Sequence, residues 1–218
     1  MDTLLDAAAA AYCAGEPLMS DRQFDTLAKV AGRRKVGAAA GKIDHPTPML
    51  SLRREDDVED WIRRLGCPVA CSVKIDGMAA RLVFRQGRLV QAVSRGDGRR
   101  GCDITAAVAD SGAVATGWDG FTGEVRGELF CTEPDRYTSC QSRVAAVIRS
   151  GKVQGAGVQF IAHDRAPRMD SWSVAGWTGF VNGIPSDGIV VAAADPAVRR
   201  RLGDDGYVPL WAVAVKPW

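Results

Sequence analysis

Ser72-Val73-Lys74-Ile75-Asp76-Gly77 is the stretch on which the reading of this chain turns. One lysine stands inside an otherwise apolar, strand-like run from Val69 to Ile75, and Asp-Gly follows at once. Burying an ammonium without a partner is costly, so a lysine there needs a reason. One reason is plain: the lysine snorkels from a strand edge and Asp76-Gly77 is an ordinary turn. The other is chemical: a desolvated, partly neutral amine attacks phosphorus or a carbonyl carbon. Composition adds weight to the second. Of 28 lysines and arginines only six are lysines, at positions 29, 35, 42, 74, 152 and 216. Arginine does not readily lose its proton. Lys74 and Lys216 are the two lysines set in apolar, strand-like runs.

The totals describe a globular protein of one domain, or one domain with a small appendage, at 218 residues with 46% hydrophobic and 25% charged residues. Net charge is +2, with both signs mixed along the chain, where a strong nucleic-acid footprint is more basic and more clustered. The cysteines at 13, 67, 71, 102, 131 and 140 are scattered without a C-x-x-C pair, so neither a zinc site nor a secreted disulfide framework is expected. No signal peptide or membrane span is read, since the Ala7–Ala11 run is short and follows Asp2 and Asp6. A reduced, cytoplasmic setting is the expectation.

Residues 2–14 read as a helix broken at Gly15-Glu16-Pro17, and Ser20 opens a second helix with Gln23 in a capping-box position. Asp21 and Asp25 share a face of that helix. They are either a solvated first turn complementing the dipole or a pair of acceptors for a ligand. Residues 32–42 read as a linker, followed by a proline-stiffened segment from His45 to Leu52. Glu55-Asp56-Asp57 opens a third helix, Arg63-Arg64 closes it and Gly66 ends it. Ala79–Arg85 and Arg88–Ser94 read as a hairpin, and a loop with three glycines and three arginines follows from Arg95 to Gly101. That loop is either a flexible turn or a backbone approach to phosphate with Arg95 as counter-charge. Phe121–Phe130 reads as a strand whose Glu124, Arg126 and Glu128 share a face. Ser142–Arg149 reads as a helix, Phe160–His163 as a strand end, and Ser186-Asp187-Gly188 as a turn into a buried strand. Asp195-Pro196 caps a last helix that Gly203 ends.

The order of these motifs carries a resemblance. Lys74-x-Asp76-Gly77, Arg95-Gly-Asp-Gly, Arg126-Gly127-Glu128, Asp187-Gly188-Ile-Val-Val and Trp211-Ala-x-Ala-x-Lys216 form a ladder similar to that of the adenylation domain of NAD-dependent bacterial DNA ligases, within the covalent nucleotidyltransferases. Pro48-Met-Leu-Ser-Leu52 resembles the family's entry segment. Pro17 through Asp21, Phe24-Asp25 and Leu27 resemble the small helical domain that captures the nicotinamide mononucleotide half of NAD. The resemblance implies an α+β fold of two antiparallel sheets with flanking helices around a nucleotide cleft, with a helical cap at 1–42 and the adenylation domain at 43–218. It implies that Lys74 attacks the α-phosphate of NAD, expels nicotinamide mononucleotide and becomes lysyl-AMP. By the same resemblance Asp76 orients ribose or lysine, and Arg95, Gly77 and Ser72 line the nucleotide. Glu128 holds the ribose hydroxyls, Ser51 and Leu52 lie along the adenine, and His163 stands near the base. Lys216 neutralises the α-phosphate, Asp187 helps hold Mg2+ through water, and Arg143 meets the nicotinamide mononucleotide or the nick. Tyr12, Phe24, Asp21 and Asp25 belong to the cap's nicotinamide site.

The departures are specific. The family's second lysine, after Asp-Gly-x-Val-Val, is Ala192, so one α-phosphate cation is missing. The glutamate two residues before the nucleophile is Ser72, the cap's aromatic pair is Ala11-Tyr12, its later tyrosine is Phe24, and Cys102 replaces an acid. The sequence given holds no oligonucleotide-binding barrel, zinc module, helix-hairpin-helix repeat or BRCT domain. The leading expectation is therefore an NAD-dependent adenylyltransferase whose AMP acceptor is a small molecule rather than nicked DNA, without stable DNA binding by this chain alone and without a membrane. The alternatives are the adenylation module of a true ligase working with a separate clamp, and a degenerate nucleotide-binding domain.

Overall fold

A computed structural model describes residues 2–13, 18–19, 21–32, 41–132, 139–175 and 179–217. Its elements are α1 (Asp2–Cys13), α2 (Asp21–Val30), β1 (Ile43–Asp44), β2 (Arg53–Arg54), α3 (Val58–Leu65), β3 (Val69–Ile75), β4 (Met78–Arg85), β5 (Arg88–Ser94), β6 (Arg100–Gly101), α4 (Thr105–Ser111), β7 (Gly123–Phe130), α5 (Cys140–Ser150), β8 (Gln159–Ala162), a 3-10 turn (His163–Arg165), β9 (Arg168–Met169), β10 (Phe180–Val181), β11 (Ile184–Ala193), α6 (Pro196–Leu202) and β12 (Ala212–Val215).

The strands β3 and β4 are separated by Asp76-Gly77 alone, yet they enter different sheets. One sheet has the order β2-β12-β11-β3-β9, with β10 also on β11; the other has the order β5-β4-β7-β8. Asp76-Gly77 is thus the corner at which the chain changes sheet, which corrects the reading of an ordinary hairpin turn. The corner needs glycine, because a Cβ on Gly77 would stand 2.6 Å from the Leu129 carbonyl oxygen. The hairpin between β4 and β5 is as read, and its Gln86-Gly87 turn takes left-handed φ values of 49° and 78°. The expectation of antiparallel sheets needs one amendment: β2 runs parallel to β12. A short ribbon pairs β1 with β6 and so ties the entry segment to the glycine-rich loop.

Alternation along the strands sends apolar side chains to the helices. Cys71, Ile189, Val191 and Val213 of the first sheet pack against Val58 and Trp61 of α3. That helix is delimited as its sequence predicts: Asp57 accepts the Asp60 amide at 2.9 Å, and Gly66 closes it at φ 65°. In the second sheet Ala80, Leu82, Phe84, Ala92 and Leu129 pack against Val108 of α4 and Val144 and Ile148 of α5. Each sheet keeps its other face for polar groups: Ser72 and Lys74 on β3, and Arg81, Glu124, Arg126 and Glu128 on β4 and β7.

Several readings are corrected. Ser186-Asp187-Gly188 is not a turn but part of β11, where the register slips between Ser186↔Ile75 and Gly188↔Lys74. The slip is a bulge, and bulges re-aim a side chain, here Asp187. His163 opens the 3-10 turn rather than ending β8. The short helix α4 and strands β9 and β10 carry no periodic signal and were not anticipated. Cys102 is disulfide-bonded, against the expectation drawn from scattered cysteines; Cys67, Cys71, Cys131 and Cys140 are free thiols. Pro17, Ser20, linker residues 33–40 and Trp218 lie outside the described residues, as do the side chains of Tyr12, Asp21 and Asp25. No helix among the described residues is long and apolar enough to cross a membrane.

The bulge yields a stability test. Gly188 has φ 151°, and a Cβ there would lie 2.1 Å from the Val215 carbonyl oxygen. Gly188→Ala is expected to cost more than about 2 kcal/mol in urea unfolding, the scale of a strained backbone position combined with a lost strand contact.

Candidate active site

Lys74 lies at the penultimate position of β3, directly opposite Gly188 on β11. Its Nζ donates to Asp187 Oδ1 at 2.9 Å, while Lys216, one residue beyond β12, donates from Nζ to Asp187 Oδ2 at 2.6 Å. One carboxylate therefore bridges the two lysines set in apolar strands. All three side chains are partly buried. Burial alone pushes the Asp187 carboxyl up, but the Lys74 and Lys216 ammoniums beside it outweigh that and hold it below the usual carboxylate range. The buried Ser186 hydroxyl braces the bulge, 2.7 Å from the Lys74 carbonyl oxygen and 2.9 Å from that of Gly188. The sequence reading passed over Ser186; a hydroxyl just ahead of Asp-Gly was the signal available.

Asp76 faces another way. Its carboxylate accepts the Cys140 amide at 2.8 Å and the Gln141 amide at 3.4 Å, fastening the start of α5 to the end of β3. Burial and the nearby Asp187 charge raise its pKa against the pull of those two amides. Across the corner, Glu128 comes close to Gly77: a Cβ on that glycine would be 3.0 Å from Glu128 Cβ and 3.3 Å from Oε2. Glu128 Oε1 is 3.2 Å from His163 Nε2, and Oε2 is buried without a hydrogen-bond partner. A buried acceptor left without a partner carries a desolvation cost.

The glycine-rich loop and the entry segment meet. Arg95 Nη1 donates to Ser51 Oγ at 3.0 Å, and the amides of His45 and Met49 donate to the Arg99 and Gly98 carbonyls at 2.8 and 2.7 Å. Leu52 is half-buried beside Ser51. Arg126 extends this tie, donating to the Pro48 and Thr47 carbonyls and to Glu124, and Glu124 also receives the buried Arg81. Neither Arg81 nor the buried His45, whose Nε2 lies 3.1 Å from both the Ser94 and Arg95 carbonyl oxygens, was singled out from sequence. Ser72 stands half-buried between Val190 and Arg168. Arg143 donates to the Ala156 carbonyl at 3.4 Å and lies near the Cys131 and Cys140 thiols. Phe24 is half-buried on α2. Both oxygens of Asp187 are engaged by ammoniums, and the described residues assemble no group of three or more His, Cys, Asp or Glu ligands.

Comparison with known proteins finds a family match and relatives. Residues 38–144, which include Lys74, the glycine-rich loop and Glu128, match the NAD-dependent DNA ligase adenylation domain. A DNA ligase of Symbiobacterium thermophilum is 25% identical over 94% of the chain, and one of Kocuria rhizophila is 27% identical over 99%. DNA ligase 2 of Pseudarthrobacter chlorophenolicus is also 27% identical, over 98% of the chain. The alignments take in 43%, 40% and 40% of those relatives, so the chain spans about two fifths of their length. The adenylation-domain match ends before Asp187 and Lys216, which the fold brings to Lys74 from β11 and the end of β12.

The shared carboxylate has a pH signature. In the unfolded chain Asp187 titrates in the ordinary carboxylate range; in the fold it titrates below it. Its contribution to stability is present above that range and is lost as pH falls toward the folded value. The unfolding free energy is expected to fall on acidification between about pH 5 and 2, with Asp187→Asn removing part of that slope in denaturant titrations.

Proposed function

We propose that this chain is an NAD-dependent adenylyltransferase in which Lys74 forms lysyl-AMP and hands the adenylate to an acceptor. The observation that carries the reading is the Lys74–Asp187–Lys216 bridge beside the unpaired Glu128 oxygen. Before substrate arrives, Asp187 stabilises Lys74 as an ammonium, which is not nucleophilic. An entering α-phosphate offers Lys216 a second anion. As Lys216 turns to it, Asp187 keeps its hold on Lys74 and orients Nζ, and the proton that Lys74 loses on attack passes to solvent. The Lys74 Nζ–phosphorus bond then forms in line as the phosphorus–oxygen bond to nicotinamide mononucleotide breaks, and the departing group keeps that oxygen. Positioning and preorganised charge supply the acceleration. Glu128 Oε2 accepts a ribose hydroxyl, Arg95 and Ser51 flank the nucleotide with Leu52, and residues 1–42 act as the cap over the nicotinamide half.

For the second half-reaction, the near-neutral charge of +2 favours an acceptor smaller than a DNA duplex. The relatives named DNA ligase favour a nick acting through further parts of a ligase. Incubation with NAD followed by intact-mass analysis and peptide mapping is expected to show one AMP on Lys74 and release of nicotinamide mononucleotide. Lys74→Arg should abolish the adduct, and Lys216→Ala should slow it by about a hundredfold or more, the usual effect of removing a preorganised charge at the reacting group. Absence of an adduct with both NAD and ATP overturns the reading. A chase of labelled lysyl-AMP with nicked duplex or with small phosphorylated compounds identifies the acceptor class.

A further inference from the structure

The face of the first sheet that carries Lys74 can be followed strand by strand from its register. Ser72 pairs with Val190 on β11, which pairs with Ala214 on β12, which pairs with Arg54 on β2. On the other side Ser72 pairs with Arg168 on β9. Residues paired in this way share a face, so Ser72, Val190, Ala214, Arg54 and Arg168 lie on the side of Lys74. Met169, next to Arg168, packs with Cys71 on the opposite side, as alternation requires.

The charges on this face are distributed unevenly. Lys74 and Lys216 are both held by Asp187, and Arg54 is held at the far edge by Asp56 at 2.8 Å. On β11, Ala192 is buried between Ala70 and Ala212, so this position adds no cation to the two lysines. Arg168 is exposed and has no hydrogen bond or ion pair among the described residues. It is the one cation on this face, among the described residues, that no carboxylate engages. It is also a diagonal neighbour of Lys74, and such pairs lie roughly 7–8 Å apart, within reach of a long side chain.

We propose that Arg168 is a nucleotide-contacting cation that binds the phosphates of the dinucleotide during adenylation of Lys74. The inference rests on the adenylyltransferase reading and adds a residue to its machinery. A guanidinium presents paired donors to phosphate oxygens, and a mobile, unpaired one gives up no existing ion pair to do so. Its position on β9 puts positive charge on the side of β3 away from β11, so the α-phosphate region is flanked from β12 by Lys216 and from β9 by Arg168.

The test uses the parent, Arg168→Ala and Arg168→Glu. Lys74 adduct formation is followed by intact mass over a range of NAD concentrations, and NAD binding is measured by calorimetry. Because Arg168 is exposed, all three proteins are expected to unfold at similar temperatures. Arg168→Ala should raise the NAD concentration for half-maximal adduct formation, and the Kd, by about tenfold, and Arg168→Glu by more. Raised salt should narrow the gap between the parent and Arg168→Ala. If Arg168→Ala equals the parent in both measurements, the inference is overturned while the adenylyltransferase reading stands. If the parent binds NAD without forming an adduct, that reading fails and the Kd ratio alone decides for Arg168. A parent that does neither overturns both.

Discussion

Two ammoniums from distant strands converge on one carboxylate, and the site is organised by that sharing. Lys74, Asp187 and Lys216 come from β3, β11 and the end of β12, and each would be costly in an apolar strand without the other two. The negative charge makes the convergence of cations tolerable, and the cations keep the carboxylate ionised against its burial. A shared carboxylate of this kind holds two ammoniums from separate strands in place at once.

The sheet corner does the geometric part. Because β3 and β4 diverge into different sheets after Asp76-Gly77, both sheets contribute groups near that corner. Lys74 and Asp187 come from the first sheet, while Glu128 comes from the second and lies against Gly77. Cores on the outer faces of both sheets fix the backbone on which these groups stand.

Much of this was legible in the residues. The strand at Val69–Ile75, the hairpin after it, and the capped helices at Val58–Leu65 and Pro196–Leu202 follow from local patterns that tertiary contacts leave unchanged. Lys74 and Lys216 stood out because charge in an apolar strand is anomalous. The bulge at Asp187 was harder to read, because Asp-Gly signals a turn locally and only pairing with β3 and β12 makes it a strand irregularity. The same holds for Asp76, whose contact with α5 joins residues 64 apart. Arg81 and His45 escaped notice for a related reason: a single polar residue in a strand or loop reads as surface until its partners are known. Arg168 sits in a strand of two residues, too short to have a period.

The hydrogen bonds from the start of α5 to Asp76 have a consequence for how the protein tolerates change. The carboxylate next but one to Lys74 is also the mooring of a helix that begins at Cys140. The chain ahead of such a mooring is free to vary in length only while the helix still lands on the same anchor. Insertions or deletions that shift α5 by a turn would be registered at Lys74, although they fall more than fifty positions away along the chain.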